Sequence, residues 1–209
     1  MPVMPAPPLL PAATFPPLTW FHLAQKDRAT VCVHEHFVKQ SLRNRVALVN
    51  AQGPIDVSLP VLRRGAATRS VKDIVFTDAV EPGMLLKVLR TNCGRAPFFD
   101  HYLPDIEVWA QDHLHPGNSW LEAALASTAW SCEMLGMPSP LASTQFEQGD
   151  SWDDWRIKAR WKSVTSERYP QVFEDRLGFV AGRSILDVLF HLGPEASTLP
   201  SQHGNHDPA

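Results

Sequence analysis

Lys39, Gln40, Arg43, Asn44 and Arg45 lie within seven positions and form the densest cluster of ligand-binding side chains in the sequence. A guanidinium donates two parallel hydrogen bonds to a phosphate or carboxylate, an ammonium supplies a point charge, and the two carboxamides add donors and acceptors. The chemistry on offer is anion binding; the competing reading is a solvated basic turn whose cations pair with nearby acids. Immediately upstream stand His34, Glu35 and His36. On an extended strand the two imidazoles share one face and Glu35 takes the other. Two histidines without a recognisable third ligand do not make a metal site, so no metal is expected. One imidazole acting as general base, oriented or supplemented by Glu35 or Asp100, is the better catalytic reading, against satisfied polar residues at a strand end. His101 and Tyr102 follow Asp100 at the end of APFFDHY and are further binding candidates, or simply the polar end of a helix. His113 and His115, beside Pro116 and Gly117, read as surface residues.

Other residues invite chemistry less strongly. Asp187 sits in the apolar SILDVLF, three residues after Ser184, and that spacing makes a helix cap simpler than a catalytic acid. Gln171 in RYPQVF is placed to point from a short strand into a polar cleft. Trp152, Trp155 and Trp161 cluster in an acidic-basic stretch, where they serve either as a stacking platform or as core. Cys32, Cys93 and Cys132 are far apart and have no activating neighbour in sequence. The G-x-G-x-x-G, P-loop and G-x-S-x-G signatures do not occur, and no cofactor is expected.

The elements that must position these residues are strand-like before about residue 80 and helical after it. TVCVHEHF (Thr30–Phe37) alternates with period two, and Arg45–Val49 and Ile55–Val61 flank the turn-forming Asn50, Gly53 and Pro54 as a hairpin. Val71–Phe76 is a weaker fourth strand. Pro16–Lys26 predicts a short helix between the Leu9-Leu10 segment and the Thr30 strand, a βαβ opening. Helices are predicted over Pro82–Asn92, over Pro104–Leu114 with proline at the first position, over Ser119–Leu135 with Ser119 and Glu122 in capping-box spacing, and over Ser184–Leu192.

The 209 residues, 44% hydrophobic and 20% charged with a net charge of -3, describe a globular protein without the overall positive field that favours nucleic acid or anionic lipid. No run reaches the roughly 18–20 apolar residues of a membrane span. The amino terminus lacks a basic start and is broken by Pro2, Pro5, Pro7, Pro8 and Pro11, which argues against a signal peptide, and three scattered cysteines suit a reducing cytosol. The expected organisation is a loose Pro-rich arm (1–8), one α/β domain (9–196) and a disordered tail (197–209). Its mixed central sheet comes mainly from the first half, and helices from the second half pack on it. The expected partner is a small anionic ligand, not nucleic acid or membrane, and the compartment is the cytoplasm.

Six segments in order, LPAATFPPLTWF, HEHFVKQSLRNR, DVSLPV, APFFDHY, RYPQVFEDRLGF and SILDVLFHLGPEA, resemble the WbqC-like protein family, especially its Bacteroidetes branch, over residues 9 to 199. Members of that family occur in gene neighbourhoods for surface-polysaccharide and amino-sugar assembly. The expected function is a transferase acting on a phosphorylated or nucleotide-linked (amino) sugar, with the RNR triplet, which the resemblance includes, in its anion site. The alternative is a non-catalytic binding or assembly protein using the same cleft. This chain departs from the family pattern near Glu81 and Leu85, where an aromatic residue and a histidine are usual, and near Cys93, where a tyrosine is usual; these departures favour the alternative.

Overall fold

The computed structural model describes residues 5–65, 70–162, 164 and 166–199. Strand β1 (Pro8–Pro11), helix α1 (Leu18–Ala24) and strand β2 (Thr30–Cys32) form the expected βαβ opening, with Leu9 opposite Thr30 and Leu10 opposite Val31 in parallel register. The helix buries Leu18, Phe21 and Leu23, as its spacing predicts, and Trp20 besides. Two very short strands from the second half complete a parallel sheet: β7 (Leu141–Ala142) beside β2, and β8 (Asp153–Asp154) beside β1.

The strand order is β7-β2-β1-β8. From β1 the chain steps outward to β2 and then to β7, and it returns across the sheet to lay β8 on the far side of β1. The reversal falls between β1 and β8, and because all four strands are parallel, their carboxyl ends open on one edge there.

Two antiparallel ribbons stand beside this sheet. Strands β3 (Arg45–Asn50) and β4 (Gly53–Ser58) form the expected hairpin, with Val46 opposite Val57 and Leu48 opposite Ile55. Its turn is held by the Gln52 amide donating to Asn50 Oδ1 at 2.9 Å and by Gly53 at φ 131°, a conformation that costs glycine little. Strand β5 (Val61–Arg63) pairs with β6 (Ile74–Phe76), so the weak fourth strand is real but begins three residues late, after a 3-10 turn over Val71–Asp73. Helices α2 (Pro82–Cys93), α3 (Phe99–His113), α4 (Trp120–Met134), α5 (Glu174–Leu177) and α6 (Ile185–Leu192) supply the cover, and the core runs through Phe15, Trp20, Phe76, Trp120 and Phe190, all almost fully buried.

Three expectations are corrected. The strand predicted over Thr30–Phe37 ends at Cys32, because its neighbour β7 ends at Ala142; Ser143 Oγ then takes the Val33 N–H at 3.1 Å, and the chain bends over His34 and Glu35. The helix predicted to begin at Pro104 begins at Phe99, where Phe99 and Phe190 pack edge to face, and Pro104 lies inside it. One helical bond near an exposed amino-terminal end is lost there, a small cost beside burying Phe99 and Tyr102. Asp187 caps nothing: Ser184 caps α6 by accepting from the Leu186 N–H at 3.2 Å, and its own N–H goes to the Ala47 carbonyl. Of the expected arm, residues 1–4 lie outside the described residues, Pro7 accepts from the Asp153 N–H and Pro8 opens β1. Of the expected tail, residues 200–209 lie outside them and Gly193–Thr198 forms a 3-10 turn.

Candidate site at the carboxyl edge of the parallel sheet

A cleft of about 220 Å3 opens where the sheet order reverses. The loop after β1 contributes Phe15 and Pro17, and the segment after β8 contributes Lys158, Trp161 and Lys162. The turn before β3 adds Gln40 and Ser41, the hairpin adds Arg45 and Asp56, and the lead into α6 adds Gly182 and Arg183. Short backbone bonds hold these pieces together: Thr14 N–H donates to the Arg43 carbonyl at 2.9 Å, Ser184 N–H to the Ala47 carbonyl at 2.7 Å and Ile185 N–H to the Pro16 carbonyl at 2.9 Å.

Two lining residues carry backbone strain. Phe15 has φ 43° and Gln40 has φ 54°, in the left-handed region that non-glycine residues avoid. At Phe15 the surroundings enforce it: the N–H donates to Ser127 Oγ at 3.0 Å, the carbonyl accepts from Ser184 Oγ at 2.8 Å, and the ring packs edge-on against Trp109 at 4.6 Å. Such strain persists where tertiary structure overdetermines it, and it concentrates at binding sites.

The charges lining the cleft are unbalanced. Arg45 pairs with Asp56 at 3.2 Å, both partly exposed. Arg183 is fixed by its Nε–H donating to the Ala181 carbonyl and by a terminal N–H donating to the Leu48 carbonyl, with no acidic partner among the described residues. Lys158 and Lys162 have no acidic partner among the described residues. Four cations therefore face one carboxylate.

Trp161 is the aromatic element of the lining. Its indole N–H donates to the Trp155 carbonyl at 2.7 Å, and its ring meets Trp155 edge to face at 5.3 Å. Trp155 is itself stacked by Arg160 at 4.0 Å, and both Trp155 and Arg160 bond the Asp153 carboxylate at 2.6 Å.

Gln40 and Arg45 line the cleft. Arg43 does not: it is fully buried, and its guanidinium spans both oxygens of buried Glu35, with Ser41 Oγ accepting at 3.2 Å and the Arg156 carbonyl at 3.3 Å. Burial pushes the Glu35 carboxyl above the usual range although Arg43 pulls it down. Asn44 is spent on the Leu59 carbonyl at 2.9 Å, and Lys39 is exposed outside the cleft. His34 accepts from Lys72 Nζ at 3.2 Å, and exposed His36 bridges to Ser70; neither borders the cleft. On α3, His101 is exposed and contacts the buried Tyr102 ring at 4.7 Å.

Lys158, Trp161, Lys162 and Arg183 complete the cleft from a part of the chain more than 110 residues beyond Gln40. Only Trp161 carried a sequence signal, as one of a tryptophan cluster. Arg156, also missed, ties Asp154 in two bonds of 2.9 and 2.7 Å and reaches Cys32 Sγ at 3.6 Å. Burial raises Asp154, but the bonds from Arg156 prevail and hold it below the usual carboxylate range.

Asp187 and Gln171 belong to a separate buried network. Asp187 Oδ2 accepts from Tyr169 O–H at 2.7 Å and from Gln171 Nε2 at 3.0 Å, and the Gln171 side chain also bonds the Val180 backbone in both directions. The Val172 N–H donates to His191 Nε2 at 2.9 Å. Gln171 thus points into a buried lock, not a cleft, and this lock fastens residues 169–180 to α6. Burial, with Asp187 beside it, pushes the Tyr169 hydroxyl well above its usual value.

Among the described residues there is no helix long and apolar enough to cross a membrane and no group of three His, Cys, Asp or Glu side chains placed to hold a metal ion. Comparison with curated proteins and with solved structures finds no match. The model of the WbqC-like protein family matches residues 12–149, which takes in the strained Phe15, the Gln40–Arg45 turn and Asp56 and stops before Lys158. With some two thirds of its length matched, including one wall of the cleft, this chain belongs to the WbqC-like protein family.

Proposed function

We propose that this protein binds a phosphorylated or nucleotide-linked sugar in the cleft between β1 and β8, in cytoplasmic surface-glycan metabolism. The observation that carries this reading is the excess of cations, Arg45, Lys158, Lys162 and Arg183 against Asp56, at the one place where a parallel sheet of this order is built to receive a ligand. The chain as a whole is acidic, so the attraction is local and suits a small anion, not a polyanion.

Two functions use such a cleft. A transferase needs a group to move a proton, and Asp56 is the carboxylate at hand, since Glu35 is committed to Arg43 and neither His34 nor His36 borders the cleft. That same placement favours the second function, a non-catalytic binding or assembly protein.

The test is a thermal-shift panel of sugar phosphates and nucleotide sugars. A ligand at about 100 times its dissociation constant adds roughly 2.7 kcal/mol, a rise of about 5–10 °C for a domain of this size. Lys158→Ala and Lys162→Ala should each shrink the rise. No rise with any phosphorylated ligand, or rises untouched by both substitutions, removes the reading. Product formation that is lost in Asp56→Asn while the shift persists selects the transferase; binding without turnover selects the binding protein.

A further inference from the structure

We infer that the cleft takes a sugar monophosphate, one phosphate and one pyranose ring, and that Trp161 reads the sugar. The inference rests on the preceding reading that the cleft binds a phosphorylated ligand, and it concerns which one. Size is the first argument. At about 220 Å3 the cleft holds the equivalent of about seven waters at roughly 30 Å3 each. It falls below the roughly 300–1,000 Å3 of pockets that enclose drug-sized ligands. The cleft is open on one side, so this volume measures what its lining can surround: a hexose with a single phosphate fills it, whereas a nucleotide-linked sugar would leave its base and ribose beyond the lining residues.

The second argument is the lining chemistry. A pyranose has apolar C–H faces and a rim of hydroxyls, so it is recognised by an aromatic surface together with groups that bond the rim. Trp161 supplies that surface. Because its N–H is already committed to the Trp155 carbonyl, the ring has only carbon to offer the cleft, and the contact with Trp155 fixes its position before any ligand arrives. The Gln40 amide and the Asp56 carboxylate are the neutral donor-acceptor and the acceptor for hydroxyls. Lys158 stands one 3-10 turn before Trp161 and Lys162 directly after it, so the phosphate-binding charges flank the sugar-binding ring.

Isothermal titration of the full chain with inorganic phosphate, N-acetylglucosamine 1-phosphate, UDP and UDP-N-acetylglucosamine tests this. The sugar monophosphate should bind about tenfold more tightly than inorganic phosphate, equivalent to about 1.4 kcal/mol. Trp161→Ala should abolish that advantage and leave phosphate affinity unchanged, and Trp161→Phe, which keeps an aromatic carbon surface, should retain most of it. The inference is overturned if UDP-N-acetylglucosamine binds tenfold more tightly than the monophosphate. It is also overturned if Trp161→Ala weakens phosphate and sugar phosphate alike while Trp161→Phe changes neither, because the ring is then structural. In both cases binding of an anion leaves the broader reading standing. Absence of binding by all four probes overturns both.

Discussion

Replacing Arg43 with alanine distinguishes a structural guanidinium from a ligand contact. The Arg43 side chain is fully buried and that of Glu35 is 4% exposed. Its removal strands a carboxylate in the interior and deprives Ser41 Oγ and the Arg156 carbonyl of a donor. Breaking one side of a buried pair costs about 3–5 kcal/mol, which lowers Tm by about 6–20 °C in a domain of this size. The loss depends on pH in a defined direction. Burial already holds the Glu35 carboxyl above its ordinary value, with Arg43 and then Arg156 opposing it; without Arg43 it rises further. A carboxyl whose folded pKa exceeds its unfolded value contributes stability that is full below the unfolded pKa and lost as pH rises through the folded one. Arg43→Ala should therefore be weakest near about pH 8 and recover on acidification by about 1.4 kcal/mol for each unit of elevation. Adding Glu35→Gln should abolish that recovery. Urea denaturation between about pH 5 and pH 8 measures all three proteins. A variant within about 1 kcal/mol of wild type throughout, but unable to bind sugar phosphate, would refute the structural assignment and return Arg43 to the ligand.

Asp187→Ala should cost about 1–3 kcal/mol in denaturant melts, since it leaves the buried Tyr169 O–H without its acceptor and removes one of the acceptors of Gln171 Nε2, which keeps the Val180 carbonyl; a cost below about 1 kcal/mol would show that the lock is not structural. Gly193→Ala should destabilise by about 3 kcal/mol or more, because a Cβ there would stand 2.5 Å from the Phe98 ring on a backbone at φ 57°. A Gly193→Ala protein with an unchanged melting curve would mean that this close approach is relieved without cost.

Elements governed by local chemistry were legible in the sequence. Alternation around Asn50–Gly53 identified the hairpin, Ser119 with Glu122 identified α4, and an apolar stripe flanked by two extended segments identified the βαβ opening. What was not legible depended on distant partners. Period two ran through His34 to His36, but a strand needs a neighbour, and β7 stops two residues in. Asp187 stands where a cap would stand, yet Tyr169 and Gln171 arrive from outside the helix and claim it. No local pattern marks the two-residue strands β7 and β8, so the reversal of strand order that opens the cleft was invisible.

The charge of the cleft follows from which acids are consumed elsewhere. In DDWRIKARWK (Asp153–Lys162) two acids stand near four bases, and the segment reads as a surface stretch with some pairing of its own. In the fold Asp154 is taken by Arg156, and Asp153 by Arg160 and the Trp155 indole. Upstream, Arg43 takes Glu35 into the interior. Each guanidinium removes a carboxylate from circulation because its planar donors match the carboxylate geometry, which an ammonium does not. The lysines are left over, and the 3-10 turn after β8 delivers Lys158 and Lys162 to either side of Trp161. A protein with net charge -3 thus builds a positive cleft by pairing Arg43, Arg156 and Arg160 with carboxylates outside it and leaving Lys158 and Lys162, beside Arg45 and Arg183, at the mouth of the sheet.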